Sequence, residues 1–348
     1  MDFSYRIQRA TPASRIAMLV AALVILVLAL APFWADRGDM RMLIEIFYYL
    51  ALAQLWSLLA GYGGLVSVGQ QAFVGLGGYL LFSLAIFGGL HPIAALGLAG
   101  LLTALIAIPT GLIAFRLQGA YFAIGSWVIA EVFRLGFAQV SALGGGSGLS
   151  LPAGIVRTIA ASREGREHLI YWIALGIALG SILLVFLLLR SRYGLAMTSI
   201  RDSESASASL GVQTYWTKFI VYVATAGMTG LVGGLIFLQK LRISPDAAFS
   251  VNDWTALVIF IVVIGGVGSI EGPIIGVILF FILREFAADW GSWYLIILGA
   301  IAVATMIFAP QGIWGLITAK RDIHLFPVGR RLIVKDRIVK DRIVKDKS

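Results

Sequence analysis

Runs of apolar residues about as long as a bilayer is thick constrain this chain more than anything else in it. Residues 16–33, 42–60, 92–115, 120–140, 169–189 and 219–238 each approach or reach the ~20 residues that a membrane-spanning helix needs. In hydrocarbon every backbone N–H and C=O must find a partner within the protein, so only helices and closed barrels cross it. Runs this long and this uniformly apolar predict helices. Only 13% of the 348 residues are charged, about half the usual share of a soluble domain, ~25%. No polar stretch exceeds about 35 residues, short of the ~50 that a small domain needs. The expectation is an all-α polytopic membrane protein of about ten transmembrane helices, with broken glycine-rich segments.

The same reading excludes several chemistries. There is no cysteine, which removes disulfides, thiol catalysis and cysteine metal sites. His91, His168 and His324 are far apart, each at a predicted membrane edge or in a tail, and predict no metal site. No Gly-Lys pair occurs, so the chain has no phosphate loop of its own. Neither HExxH nor GxSxG is present. No cofactor is expected, and work against a gradient would draw its energy from a partner or an ion gradient. The net charge of +9 reads as the excess of basic residues on cytoplasmic segments, not as a nucleic-acid signal.

Residues 1–15 form a short basic N-terminus, and 16–33 a retained first helix rather than a cleaved signal, because its apolar run is too long. The membrane domain then extends to about residue 317. Alternating the spans places both chain ends on the cytoplasmic side. Of the 27 basic residues, 18 fall on the segments placed inside, and the C-terminal tail carries most of that bias. The tail, 318–348, repeats IVKDR, IVKDR and IVKDK with a period of five that fits neither a helix nor a strand face. It reads as a basic low-complexity end able to touch anionic lipid.

Three stretches interrupt the spans in informative ways. Residues 61–79, GYGGLVSVGQQAFVGLGGY, hold seven glycines and no charge. Glycine at that density disfavours a helix, and the stretch is too apolar for a free loop, so irregular backbone at membrane depth is expected, continuing into a third helix. Gln70 and Gln71 within it either bind the polar end of a solute, as broken helices do in transporters, or satisfy freed backbone. The span 120–140 carries Glu131 and Arg134, one turn apart and able to pair. They read as a polar pair on a transport path or as a clamp on helix register. Tyr121, Phe122 and Trp127 line a path or belong to an interfacial aromatic belt. The span 219–238 has small residues at Ala224, Gly227, Gly230 and Gly234, suited to close packing.

The polar stretch 190–218, RSRYGLAMTSIRDSESASASLGVQTYWTK, is locally ordered by its own chemistry. Leu195 to Arg201 suit a helix. Asp202 and Ser203 are N-cap residues for a second short turn, with Glu204 at its positive end. Gly211 stands where a left-handed residue would end that turn. This is either an ordinary capped loop or a short helix held out for another protein to push on.

Six segments in this order, GYGGLVSVGQQAFVGLGGY, RLQGAYFAIGSWVIAEVFRL, GGGSGL, SRYGLAMTSIRDSESASASLGVQTYWTKF, ISPDAAFS and VVIGGVGSIEGPIIG, closely resemble the permease subunits of branched-chain amino acid ABC transporters, the LivM type. The resemblance runs from about residue 45 to 315. It implies a bacterial inner-membrane importer with two ATP-binding subunits, a second related permease and a periplasmic solute-binding protein. It also places Glu204, Ala206 and Gly211 in an ATPase-coupling loop, to which the adjoining Arg201 and Asp202 are assigned; the local reading of the residues makes Gln70, Gln71, Tyr121, Trp127, Glu131 and Arg134 the candidates for the substrate path. ABC permeases for urea or short amides are similar to this family and remain an alternative, as does an ion-coupled secondary transporter, although acidic residues within the spans are sparse.

Overall fold

A computed structural model describes the backbone of residues 5–8, 12–160, 162–287, 293–309, 311–319, 325–326 and 331–334. It is helical nearly throughout. The apolar runs become α1 (Pro12–Leu30), α2 (Arg37–Ser57), α3 (Gln70–Ile86), α4 (Pro92–Ala114) and α5 (Ala120–Gln139). After a short α6 (Ala153–Ile159) come α7 (Arg163–Arg190), the polar pair α8 (Arg192–Asp202) and α9 (Glu204–Ser209), and α10 (Thr214–Lys240). A four-residue α11 (Pro245–Ala248) leads to α12 (Leu257–Gly265), α13 (Glu271–Ala287), α14 (Trp293–Phe308) and α15 (Gly312–Ala319).

Each of the ten predicted spans has a helical counterpart. Among the described residues, seven helices are long and apolar enough to cross a membrane, α11 and α12 counting as one and α14 with α15 as another. The counterparts α1, α3 and α13 make up the ten. Most of the repeat tail lies outside the described residues. Residues 331–334, which run into the first repeat, form a strand, β4 (Arg331–Val334), antiparallel to β1 (Tyr5–Gln8), which brings these two end segments together.

Contacts sort the connections onto two ends, as alternating spans require. At one end Arg37 pairs with Glu164 (2.6 Å), His91 reaches the Thr158 carbonyl (3.0 Å), and β2 (Leu149–Ser150) pairs with β3 (Arg242–Ile243). At the other, Arg201 bonds Gly61 (3.0 Å), and Phe115 packs against Tyr215. There the Glu271 carboxylate accepts the backbone N–H groups of Leu325 (3.1 Å) and Phe326 (3.0 Å).

The core is built on α10, which lies between α3 and α4. Its small face does what its residues predict. A Cβ on Gly233 would strike the Val74 backbone of α3, and one on Gly230 the Thr103 side chain of α4. Gly77 of α3 in turn abuts the Gly230 carbonyl. That packing corrects one expectation. The irregular backbone is confined to residues 64–69, and the glycine-rich stretch from Gln70 onward is helical. Glycines 75, 77 and 78 stand where Phe249, Gly230 and Phe237 leave no room for a side chain, so close tertiary packing outweighs their poor helix propensity.

Candidate functional site: a mid-membrane break and an exposed helical pair

The break between α2 and α3 sets the geometry. Toward its end α2 widens into a π-helical turn, Leu58–Tyr62, a form that recurs at functional sites. The chain then doubles back beside α2 in irregular form. The Trp56 indole donates to the Ser67 carbonyl (2.8 Å), and the Gln70 amide donates to the Leu52 carbonyl (3.1 Å). Trp56 and Leu52 lie six and ten residues before Tyr62, so at about 1.5 Å per residue the irregular strand climbs ~9 to ~15 Å before α3 begins. Half of a ~30 Å hydrocarbon core is ~15 Å. The N-terminus of α3 therefore opens near mid-membrane. Serine and glycine permit this: the Val68 N–H bonds the Ser126 hydroxyl of α5 (3.1 Å), and Gly69 abuts the Ser126 carbonyl where a Cβ would collide.

Polar groups gather at this depth. Gln54, Ser57, Ser67, Gln70, Gln71, Thr225, Thr229 and Thr255 are all buried. Gln54 donates to the Ile270 carbonyl (2.7 Å), and the Thr255 hydroxyl donates to Gln71 Oε1. Thr255 sits in a second π-helical turn, Asn252–Ala256. Gln54 Oε1, Ser57 Oγ, Gln70 Oε1 and Gln71 Nε2 are buried with no protein partner. Such groups carry a cost of about 1–3 kcal/mol each unless something else bonds them. A narrow cleft, with room inside for about one water, lies between Leu55 and Leu59 of α2, Ser67, Gln70 and Phe73, and Thr225 and Thr229 of α10.

The other predicted path residues lie apart from this cleft. Tyr121 is 74% exposed and Trp127 48%, both on the outer face of α5, while Phe122 is buried and packs on Phe115. Glu131 and Arg134 do pair (2.5 Å). Sequence had placed the pair in the middle of an apolar helix. Arg134 instead reaches the end of the bundle, where it also bonds Asp246 of α11 (2.7 Å), a partner no local spacing reveals. Glu45 and Arg284 form an ion pair between α2 and α13 (2.8 Å).

The polar stretch folds into two helices with their own caps. The Ser203 hydroxyl accepts the Ala206 N–H (3.3 Å), so Ser203 rather than Asp202 is the N-cap of α9. Gly211 takes φ +85°. Its N–H bonds the Ala208 carbonyl, and the Val212 N–H bonds that of Ser207, both at 3.0 Å, a Schellman ending. Glu204 is tied to Lys218 of α10 (2.7 Å). Leu210 projects, 83% exposed. Below, Met197 is buried against Gly63 and Arg201 bonds both Asp202 and the Gly61 carbonyl of the π-helical turn. The exposed helices are thus fastened directly to the break in α2.

The family described as branched-chain amino acid transport system / permease component matches residues 40–309. The chain belongs to this family. It is 29% identical over 312 residues to the high-affinity branched-chain amino acid transport system permease protein LivM of Escherichia coli, covering 83% of this chain and 73% of that one. The LivM of Salmonella typhimurium is 28% identical over the same shares. A probable branched-chain amino acid transport permease protein LivM of Methanocaldococcus jannaschii is 24% identical over 64% of this chain and 70% of its own. No solved structure matches the chain. It is a multi-pass membrane transport subunit, and the matched region spans both the α2–α3 break and the α8–α9 pair.

Proposed function

We propose that the chain is the permease subunit of an ABC importer for branched-chain or related neutral amino acids. ATP is hydrolysed on two partner subunits, and a periplasmic solute-binding protein delivers the substrate. The chain sits in the bacterial inner membrane with both ends cytoplasmic. A second, related permease covers the exposed face of α5, where Tyr121 and Trp127 stand among exposed Ile124, Val128 and Val132. The coupling loop is α8–α9, with Arg201, Asp202, Glu204, Ala206 and Gly211 shaping and anchoring it.

One observation carries this reading: a self-capped helical pair, exposed at Leu210, is bolted through Arg201 to the end of a helix that breaks at membrane depth. A push on α9 from an ATPase reaches Gly61 through one side chain, and from there the strand 64–69 and the polar cluster behind it. The test is ATP-driven leucine uptake by vesicles holding the purified complex, compared with a Gly211→Trp complex. A bulky L-residue at φ +85° costs about 1–2 kcal/mol and distorts the tip. Uptake and co-purification of the ATPases are expected to be lost while the chain still inserts. Normal uptake by Gly211→Trp would remove the coupling role.

A further inference from the structure

We infer that the mid-membrane cleft, narrow in this structure, widens during transport into a transit site that takes the carboxylate of an α-amino acid at the N-terminus of α3 and its apolar side chain between Leu55, Leu59 and Phe73. The inference rests on the permease reading and adds to it a place and an orientation for the solute. Four observations converge on it. First, α3 has 17 residues and starts at Gln70 with no side chain capping it; the Ala72 N–H bonds the Gly69 carbonyl (3.0 Å), the N–H groups of Gln70 and Gln71 precede the first helical bond, and the dipole presents positive charge near mid-membrane. Second, Gln70 is only 6% exposed, lines the cleft and leaves its Oε1 without a protein partner. Third, the cleft walls mix apolar surface with the neutral groups of Ser67, Gln70, Thr225 and Thr229 and carry no charge. Fourth, irregular backbone at this depth is tolerated where it lines a cavity, and Ser67 of the irregular strand lines this one.

The chemistry of recognition follows. A carboxylate is held by free backbone N–H groups at a helix start, with the Ser67 hydroxyl alongside. The ammonium finds an acceptor in Gln70 Oε1. Full charges on the wall would hold a zwitterion too tightly for release, whereas neutral dipoles let it pass. The apolar side chain displaces water from leucine and phenylalanine surface.

The chain has no cysteine, which permits a direct test on the intact complex. Single substitutions Ser67→Cys and Thr229→Cys are made, and labelling by a small water-soluble thiol reagent is timed with and without L-leucine or L-leucinamide, which lacks the carboxylate. ATP-driven leucine uptake by the unsubstituted complex is measured alongside. With leucine at about ten times its dissociation constant, labelling at both positions is expected to slow by about tenfold, with leucinamide giving little protection. Equal labelling rates with and without leucine, in a complex that transports leucine, would overturn the site and leave the permease reading intact. Equal protection by leucinamide would overturn the carboxylate assignment. A complex with no leucine uptake would overturn both readings together.

Discussion

The chain interrupts its membrane helices in two places, and the two interruptions are opposites. At residues 64–69 the backbone is irregular, Leu65, Ser67 and Gly69 are buried while Val66 stands 49% exposed, and several buried polar atoms nearby are unpartnered. At α8–α9 the backbone is regular, the surface is exposed, and the polar groups satisfy one another: Ser203 caps α9, Ser199 bonds Ser207, and Glu204 pairs with Lys218. Unpaired polar groups kept at membrane depth are costly and belong where a solute passes. An element complete in itself, yet displaying Leu210, belongs where a rigid partner docks. Arg201 joins the two regions, and the transport reading assigns one to each half of a coupled process.

The comparison breaks most readily at the packing that holds the break in place. Gly77→Leu forces a side chain onto the Gly230 carbonyl where α3 and α10 touch. Overpacking of this kind typically costs about 1–3 kcal/mol and more when backbone stands in the way. Loss of the folded chain is expected, read as greatly reduced yield and rapid cleavage by added protease.

A smaller effect, confined to coupling, is expected of Arg201→Ala. The exposed helices stay folded because their caps are untouched, but the bond to Gly61 is gone. Complexes should assemble and hydrolyse ATP while leucine moved per ATP falls severalfold, with partial recovery in Arg201→Lys. An unchanged transport ratio would separate the two regions and remove Arg201 as their link.

Gln71→Leu sharpens the other side. It leaves the buried Thr255 hydroxyl without its acceptor, at a cost of about 1–3 kcal/mol, and a lower unfolding temperature in detergent is expected with α8–α9 docking intact. The smallest effect belongs to Glu131→Gln. Glu131 and Arg134 are partly exposed, Arg134 keeps Asp246, and such pairs are worth about 0–1 kcal/mol. Uptake and stability close to those of the parent are expected. A large loss of uptake at normal stability would move Glu131 onto the substrate path.

The spans were legible in the sequence because a bilayer imposes a length, and length needs no alignment of contacts. The ends of α9 were legible too, since a capping serine and a left-handed glycine act within a few residues. The start of α3 was not. Glycine looks the same to a local reading whether it breaks a helix, as at Gly64 with φ +66°, or lets two helices touch, as at Gly77. Only the arrival of α10 separates those cases. Asp246 as partner to Arg134, Glu45 to Arg284 and Gly61 to Arg201 were hidden for the same reason: each joins residues more than 100 positions apart. Gln70 and Gln71 marked the break, while Tyr121 and Trp127 lie on an exposed face away from it.

The central claim is that the exposed α8–α9 pair is the handle by which an ATPase moves the membrane break. The most direct measurement places a single cysteine at Leu210→Cys in this cysteine-free chain and cross-links it, in native membranes, to whatever lies within reach of a short bifunctional reagent. A cross-link to a phosphate-loop ATPase, with a yield that changes when ATP is added, is the expected result. A Leu210→Cys chain that cross-links to no ATPase, in membranes that import leucine with ATP, would contradict it.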